Sequence, residues 1–297
     1  MRSLAAIGSI KCLEEENLLS SIKHFVGTSA GSVMCLFLVL GFTAQEMCDF
    51  FVTHFQRDDI SSISLDDLFT IMDKLGLNLG NNLINFVMSM LHTKMKVKDA
   101  TFMDLAKHSG KNLIVCVANL TQQKEEYWSV DTTPSMSVVT AIRASCSLPV
   151  LFAPVKHNGD LYIDGGIYNN FPIDYFARHQ HQPQPSKAHI RDIIGIDVIS
   201  DSPPNKQDFI GYLSLIFHTI ISRLSKPYSS DFTNNIVTLQ FKDEAWLPMS
   251  GLKVTITKEV LDKYTTIGYI KMKELLQQYE AMYTAELTIT DVASSTS

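Results

Sequence analysis

Gly27-Thr28-Ser29-Ala30-Gly31 joins a short apolar stretch to an apolar helical pattern, and a G-x-S-x-G at such a junction allows few folds. The motif puts a serine hydroxyl at the tip of a turn so sharp that its neighbours, Gly27 and Gly31, are expected to be glycine for steric reasons. Such a turn needs a sheet to anchor its strand and a helix to carry the chain away, which implies an α/β fold. Asp164-Gly165-Gly166 ends a second strand-like stretch, 161–163, after an Asn158-Gly159 hairpin signal. It presents a carboxylate on a turn that only glycine is expected to follow. A hydroxyl and a carboxylate on two tight turns imply hydrolysis through a serine nucleophile.

The remaining pattern alternates helix and strand. A helix is expected over 4–16, a strand over 22–26, and a helix over 30–40 that Gly41 stops. Thr43-Ala44-Gln45-Glu46 has capping-box spacing, Ser64 and Asn81 open further helices (the latter through Met90), and Thr101 caps one that ends near Gly110. Residues 112–119 are nearly all apolar, as a strand buried on both faces requires, and 127–130 can pair beside it. A helix over 137–147 is closed by Pro149. Strands over 193–199 and 236–241 and helices over 209–224 and 258–283 complete the pattern, with a polar loop at 179–189. The alternation predicts a three-layer α/β/α sandwich with a mostly parallel central sheet. No domain boundary is visible. Residues 1–200 form the main body, 201–290 complete the same domain, and 291–297 are expected to be a disordered tail.

Composition narrows the function classes. The chain has 297 residues, 45% of them hydrophobic, and a net charge of −6 without any basic block, which argues against nucleic-acid binding. Its five cysteines are odd in number and form no C-x-x-C pair, so free thiols in a reducing compartment are expected. The apolar start is too short for a secretion signal, and the longest apolar run, 33–40, falls well short of the ~18 residues of a membrane span. A soluble, cytoplasmic protein is expected. The nine histidines show no metal-ligand spacing, and neither a metal nor a cofactor is expected. Arg143 and Asn170 read as surface residues, Asp197 as the cap of a strand end, His24 as structural, and the apolar stripe over 83–91 as core, with a lipid-facing role as its alternative.

Three blocks taken together resemble the patatin-like phospholipase family. The first is Gly27-Thr28-Ser29-Ala30-Gly31-Ser32. The second runs from Ala141-Ile142-Arg143-Ala144-Ser145 through Pro149 to Phe152-Ala153-Pro154-Val155. The third is Leu161-Tyr162-Ile163-Asp164-Gly165-Gly166, continuing to Asn170-Phe171-Pro172. The resemblance covers residues 2 to about 200. It implies hydrolysis of lipid acyl esters by a serine–aspartate dyad, with Ser29 as nucleophile and Asp164 as its base. The substrate would be a phospholipid or another acyl-ester lipid, met by peripheral contact with a membrane. Ala30 would supply an oxyanion-hole amide, and Arg2 and Ser3 would stand at the end of the family's glycine-rich oxyanion loop. On that resemblance the chain would begin after the place of that loop and of the strand before it.

Two other readings compete. An α/β-hydrolase triad would recruit His179, His181, His189 or His218, but its elbow follows several strands and only 28 residues precede Ser29 here. A catalytically impaired relative, its oxyanion loop truncated, would serve in lipid binding or interaction. Turnover of an ester separates the last from an enzyme.

Overall fold

The computed structural model describes residues 4–55, 75–179, 192–200, 235–241 and 258–295, with a few between 212 and 220. In chain order the elements are α1 (Ala5–Glu15), β1 (His24–Thr28), α2 (Ala30–Val39), α3 (Ala44–His54), β2 (Gly76–Asn78), α4 (Asn81–Met95) and α5 (Phe102–Ser109). They continue with β3 (Asn112–Asn119), β4 (Lys124–Trp128), α6 (Val138–Ser145), β5 (Val150–Phe152), β6 (Val155–His157), β7 (Asp160–Asp164), α7 (Gly166–Asn169) and α8 (Tyr175–His179). Strands β8 (Gly195–Ser200) and β9 (Ile236–Phe241) and the long helix α9 (Lys258–Ser295) follow. The helix expected from Ser64 and most of that over 209–224 lie outside the described residues, as do His181, His189 and His218.

Local chemistry sets several boundaries. Thr43 and Thr101 each close a capping box, with Glu46 and Asp104 as reciprocal partners, which satisfies amide groups that the first turn leaves free. Asn158 and Gly159 have φ of 48° and 88°, the left-handed pair that a two-residue hairpin between β6 and β7 requires. Helix α9 runs on to Ser295, past the expected end at 283, so 291–295 is helical rather than a disordered tail. The reason is visible in composition: no glycine or proline follows Gly268 to stop it.

The central sheet is mixed, not mostly parallel. Its order is β1-β3-β7-β6, with β4 on β3, and only β1–β3 is parallel. The short turns after β3 and β6 return the chain antiparallel, where a parallel pairing would need a crossover. Parallel pairs recur in two small sheets, β2–β5 and β8–β9. All of β3 is buried, and its side chains alternate between two cores. Leu113, Val115 and Val117 enter the large core with α1 to α6, whereas Ile114 and Cys116 pack with Tyr127 and Tyr175 on the other face. Helices therefore cover both faces, in three layers.

The large core includes an aromatic knot. Phe37 of α2 meets Phe42, Phe50, Phe51 and Phe86 at centroid distances of 5.0, 5.5, 5.4 and 6.0 Å. The apolar stripe of α4 is core, with Phe86, Val87, Met90 and Leu91 buried. At the other side, α1 lies directly on α9. A Cβ on Gly8 would fall 1.8 Å from the Thr265 carbonyl oxygen, and one on Gly268 would fall 1.8 Å from that of Ala5. Ser9 Oγ donates to the Gly268 carbonyl at 2.9 Å. Gly268→Ala must push two backbones apart, so it is expected to cost more than the ~1–3 kcal/mol of ordinary overpacking in urea unfolding. Thr266→Ala, on the exposed side of the same helix, should stay within about 0.5 kcal/mol of the parent.

Candidate active site

Strand β3 brings the two motifs together. β4 occupies one edge of β3 over 115–119, so β1 and β7 must share the other. Along that edge β1 ends with Thr28 opposite Cys116, and β7, running the opposite way, ends with Asp164 opposite Val117. Consecutive residues of β3 thus set down the two strand ends from which Ser29 and Asp164 emerge. Thr28 Oγ1 donates to the Asn169 carbonyl at 2.8 Å, tying the end of β1 to the helix that follows Asp164.

Ser29 has φ 53° and ψ −127°, a conformation that costs a non-glycine residue on the order of 1–3 kcal/mol. The turn folds back so tightly that a Cβ on Gly27 would lie 2.5 Å from the Gly31 carbonyl carbon. Gly31 is different: a Cβ there would meet nothing within 4 Å, so the fold does not demand glycine at that position. The Ser29 carbonyl accepts from Ser32 Oγ at 2.6 Å, and the Ser29 amide donates to Ser145 Oγ at 2.9 Å. Ser29 is half-buried, and Ala30 and Gly31, the first residues of α2, are exposed. The Ala30 and Gly31 amides have no intrahelical acceptor and stand at the positive end of the helix dipole.

Asp164 sits in the opposite environment. It is 1% exposed; Oδ1 accepts from the Gly166 amide at 2.8 Å, and Oδ2 is buried without a hydrogen-bond partner. Burial pushes its carboxyl up to about 6, opposed by the Ser29 hydroxyl and the Gly166 amide, both of which favour the charged form. The Ser29 hydroxyl is therefore close enough to act on the carboxyl, although no hydrogen bond closes onto Oδ2. Gly165 is helical in φ, at −63°, so its turn is open to any residue. Glycine is required there because a Cβ would lie 2.5 Å from the Cys116 carbonyl oxygen. The expectation of a special backbone conformation is replaced by one of close approach.

The end of α6 and the turn after it, within the second block of the resemblance, complete the site. Arg143 is 6% exposed, not a surface residue. It donates from Nε to the Leu79 carbonyl at 2.9 Å, from Nη2 to the Ala153 carbonyl at 2.9 Å, and from Nη1 to Ser147 Oγ. Its guanidinium thereby fastens the β2–β5 pair to α6. The Ser147 carbonyl accepts from the Asp164 amide at 2.9 Å. Burial pushes the Cys146 thiol up to about 12, reinforced by the Asp164 charge, while contacts with Ser32 and Ser29 act the other way.

The other candidates are dispersed. His24 is exposed at the start of β1, edge-on to Phe176. His179 ends α8, stacks on Tyr175 and donates from Nδ1 to the Tyr175 carbonyl at 2.9 Å. Among the described residues no histidine acts on Asp164. Asp197 lies inside β8 opposite Thr238 rather than at a strand end. Asn170 is exposed, as expected. Arg2 and Ser3 lie outside the described residues.

The family model for patatin-like phospholipases matches residues 1–177, which contain both turns and the segment between them. The chain belongs to the patatin-like phospholipase family. Its relatives include a probable lipid hydrolase, 463L, of Invertebrate iridescent virus 6, 30% identical over 190 residues, covering 63% of this chain and 64% of the relative. An uncharacterized protein, R571, of Acanthamoeba polyphaga mimivirus is 30% identical over 173 residues, 58% of this chain and 57% of that protein. The chain thus spans less than two thirds of the length of these relatives. VipD from Legionella pneumophila is similar in structure, with a TM-score of 0.54 at 14% identity over 93% of this chain and 65% of VipD, a likeness of fold alone.

In this patatin-like protein the buried carboxylate has a measurable consequence. Folded Asp164 holds its proton more tightly than the unfolded chain does, so this group's contribution to stability is lost as pH rises from 3.8 to about 6. Asp164→Asn removes that dependence. The parent-to-variant difference in unfolding free energy should change by ~2 kcal/mol between about pH 4 and pH 7, the variant gaining with pH. A difference independent of pH would mean that the carboxyl titrates alike folded and unfolded.

Proposed function

We propose that this protein hydrolyses acyl esters of lipids, phospholipids among them, through a Ser29–Asp164 dyad and an acyl-enzyme intermediate. The observation that carries the reading is the meeting of a partly exposed serine on a strained elbow with a buried carboxylate whose Oδ2 is unpartnered. Ser29 Oγ attacks the ester carbonyl carbon and its proton passes to Asp164 Oδ2. The negative oxygen that forms is held by the Ala30 amide at the start of α2, because the Ser29 amide is already engaged by Ser145. Collapse breaks the ester bond, and the departing alcohol takes the proton from Asp164. Water then attacks the acyl-serine, gives its proton to Asp164, and the acid leaves as Ser29 recovers that proton. A carboxylate with a pKa near 6 is a far better base for this than one in water, since less of the transfer is uphill.

Membership of the family and the name of the iridescent-virus relative support a lipid substrate. No helix of the described residues is long and apolar enough to cross a membrane, and the reading takes contact with lipid to be peripheral, from a cytoplasmic protein. On a short-chain p-nitrophenyl ester and on phosphatidylcholine vesicles, Ser29→Ala and Asp164→Asn should each lower the rate by about 10³-fold or more. His179→Ala should stay within a few-fold of the parent; a loss as large as that of Ser29→Ala would replace the dyad with a triad. Activity should rise with pH along an acid limb centred near 6, because only ionised Asp164 can accept the proton.

A further inference from the structure

We infer that Ser145 is a positioning residue for the nucleophile, holding the Ser29 elbow at the separation from Asp164 that proton transfer needs. The inference rests on the Ser29–Asp164 reading and deepens it. A serine inside a helix ordinarily turns its hydroxyl back to the carbonyl four residues earlier, and even Ser147, just beyond the end of α6, does so to Arg143 at 2.7 Å. Ser145 does not. Its hydroxyl leaves α6, accepts from the Ser29 amide at 2.9 Å and donates to the Cys116 carbonyl at 2.7 Å. Ser145 is 0% exposed, so water cannot replace either bond.

The two atoms it joins are the ones that matter for spacing. Cys116 is the residue of β3 opposite Thr28, and its neighbour Val117 is opposite Asp164. One hydroxyl therefore pins the strained residue to the point on β3 that locates both partners. Two residues on, the Ser147 carbonyl accepts the Asp164 amide at 2.9 Å. The segment 145–147 grips nucleophile and base from one side, and Arg143 anchors it through Ser147 Oγ. By taking up the Ser29 amide, Ser145 also leaves the developing oxyanion to the amides that follow it.

The test compares Ser145→Ala, Ser145→Thr and Ser145→Val with the parent. Thr and Val have the same shape and differ in the hydroxyl, so they separate hydrogen bonding from volume if the Ala variant fails to fold. On a p-nitrophenyl ester, Ala and Val should lower kcat by about ten-fold or more with KM within about two-fold, while Thr keeps most of the parent kcat. Phosphonylation of Ser29 by a fluorophosphonate should slow in the same order. The acid limb of the Ala and Val variants should move to higher pH, because a misplaced Ser29 hydroxyl no longer favours the charged form of Asp164. A folded Val variant with parental kcat, or equal losses in Thr and Val, overturns the inference. Full turnover by Ser29→Ala would instead remove the dyad beneath it, whatever the Ser145 variants do.

Discussion

Backbone hydrogen bonds along one edge of β3 determine where the chemistry can occur. Two strands approach each other head-on along that edge, one parallel to β3 and one antiparallel, and they meet between Cys116 and Val117. A slip of one residue in either pairing would turn every side chain of that strand to the other face and separate the hydroxyl from the carboxylate. β3 resists slipping because its two faces enter different cores. Leu113, Val115 and Val117 belong to one, Ile114 and Cys116 to the other. Packing on both sides of one strand thus becomes precision in the relative placement of two residues far apart in sequence.

That placement holds two unfavourable features together. Ser29 carries a left-handed φ and Asp164 carries a buried oxygen without a partner, and neither would persist in a loosely packed region. The constraints that hold them are short and polar: the Ser145 hydroxyl, the Ser147 carbonyl, the Thr28–Asn169 bond and the Gly166 amide. Each replaces water at a group that would otherwise need it. The arrangement leaves the Ser29 hydroxyl accessible and the Asp164 carboxylate dry, which raises the basicity of the carboxylate.

Much of this was legible in the residues. The elbow, the aspartate turn, the Thr43 capping box, the Thr101 cap, and the strands at 112–119 and 236–241 announce themselves through local chemistry, and local chemistry is what a sequence displays. Strand direction is not local. The mostly parallel sheet expected from helix–strand alternation gave way to a mixed one because the hairpins around β4 and β7 reverse the chain over a few residues. Arg143 looked like a surface charge for a similar reason. Its acceptors, Leu79 and Ala153, are carbonyls of segments that only the fold brings near. Gly165 was assigned to backbone conformation, yet its constraint is the Cys116 carbonyl of another strand. What the sequence concealed was always a partner distant along the chain.

The open space over Gly31 has a meaning for how such a site can change. The glycine at position 27 is walled in by the chain's own backbone, but position 31 faces outward with nothing near it. A side chain grafted there would compete for room with whatever approaches Ser29 from outside, not with the protein. The surroundings of the Ser29 hydroxyl can therefore be altered from position 31 while folding is left alone, a freedom that position 27 does not have.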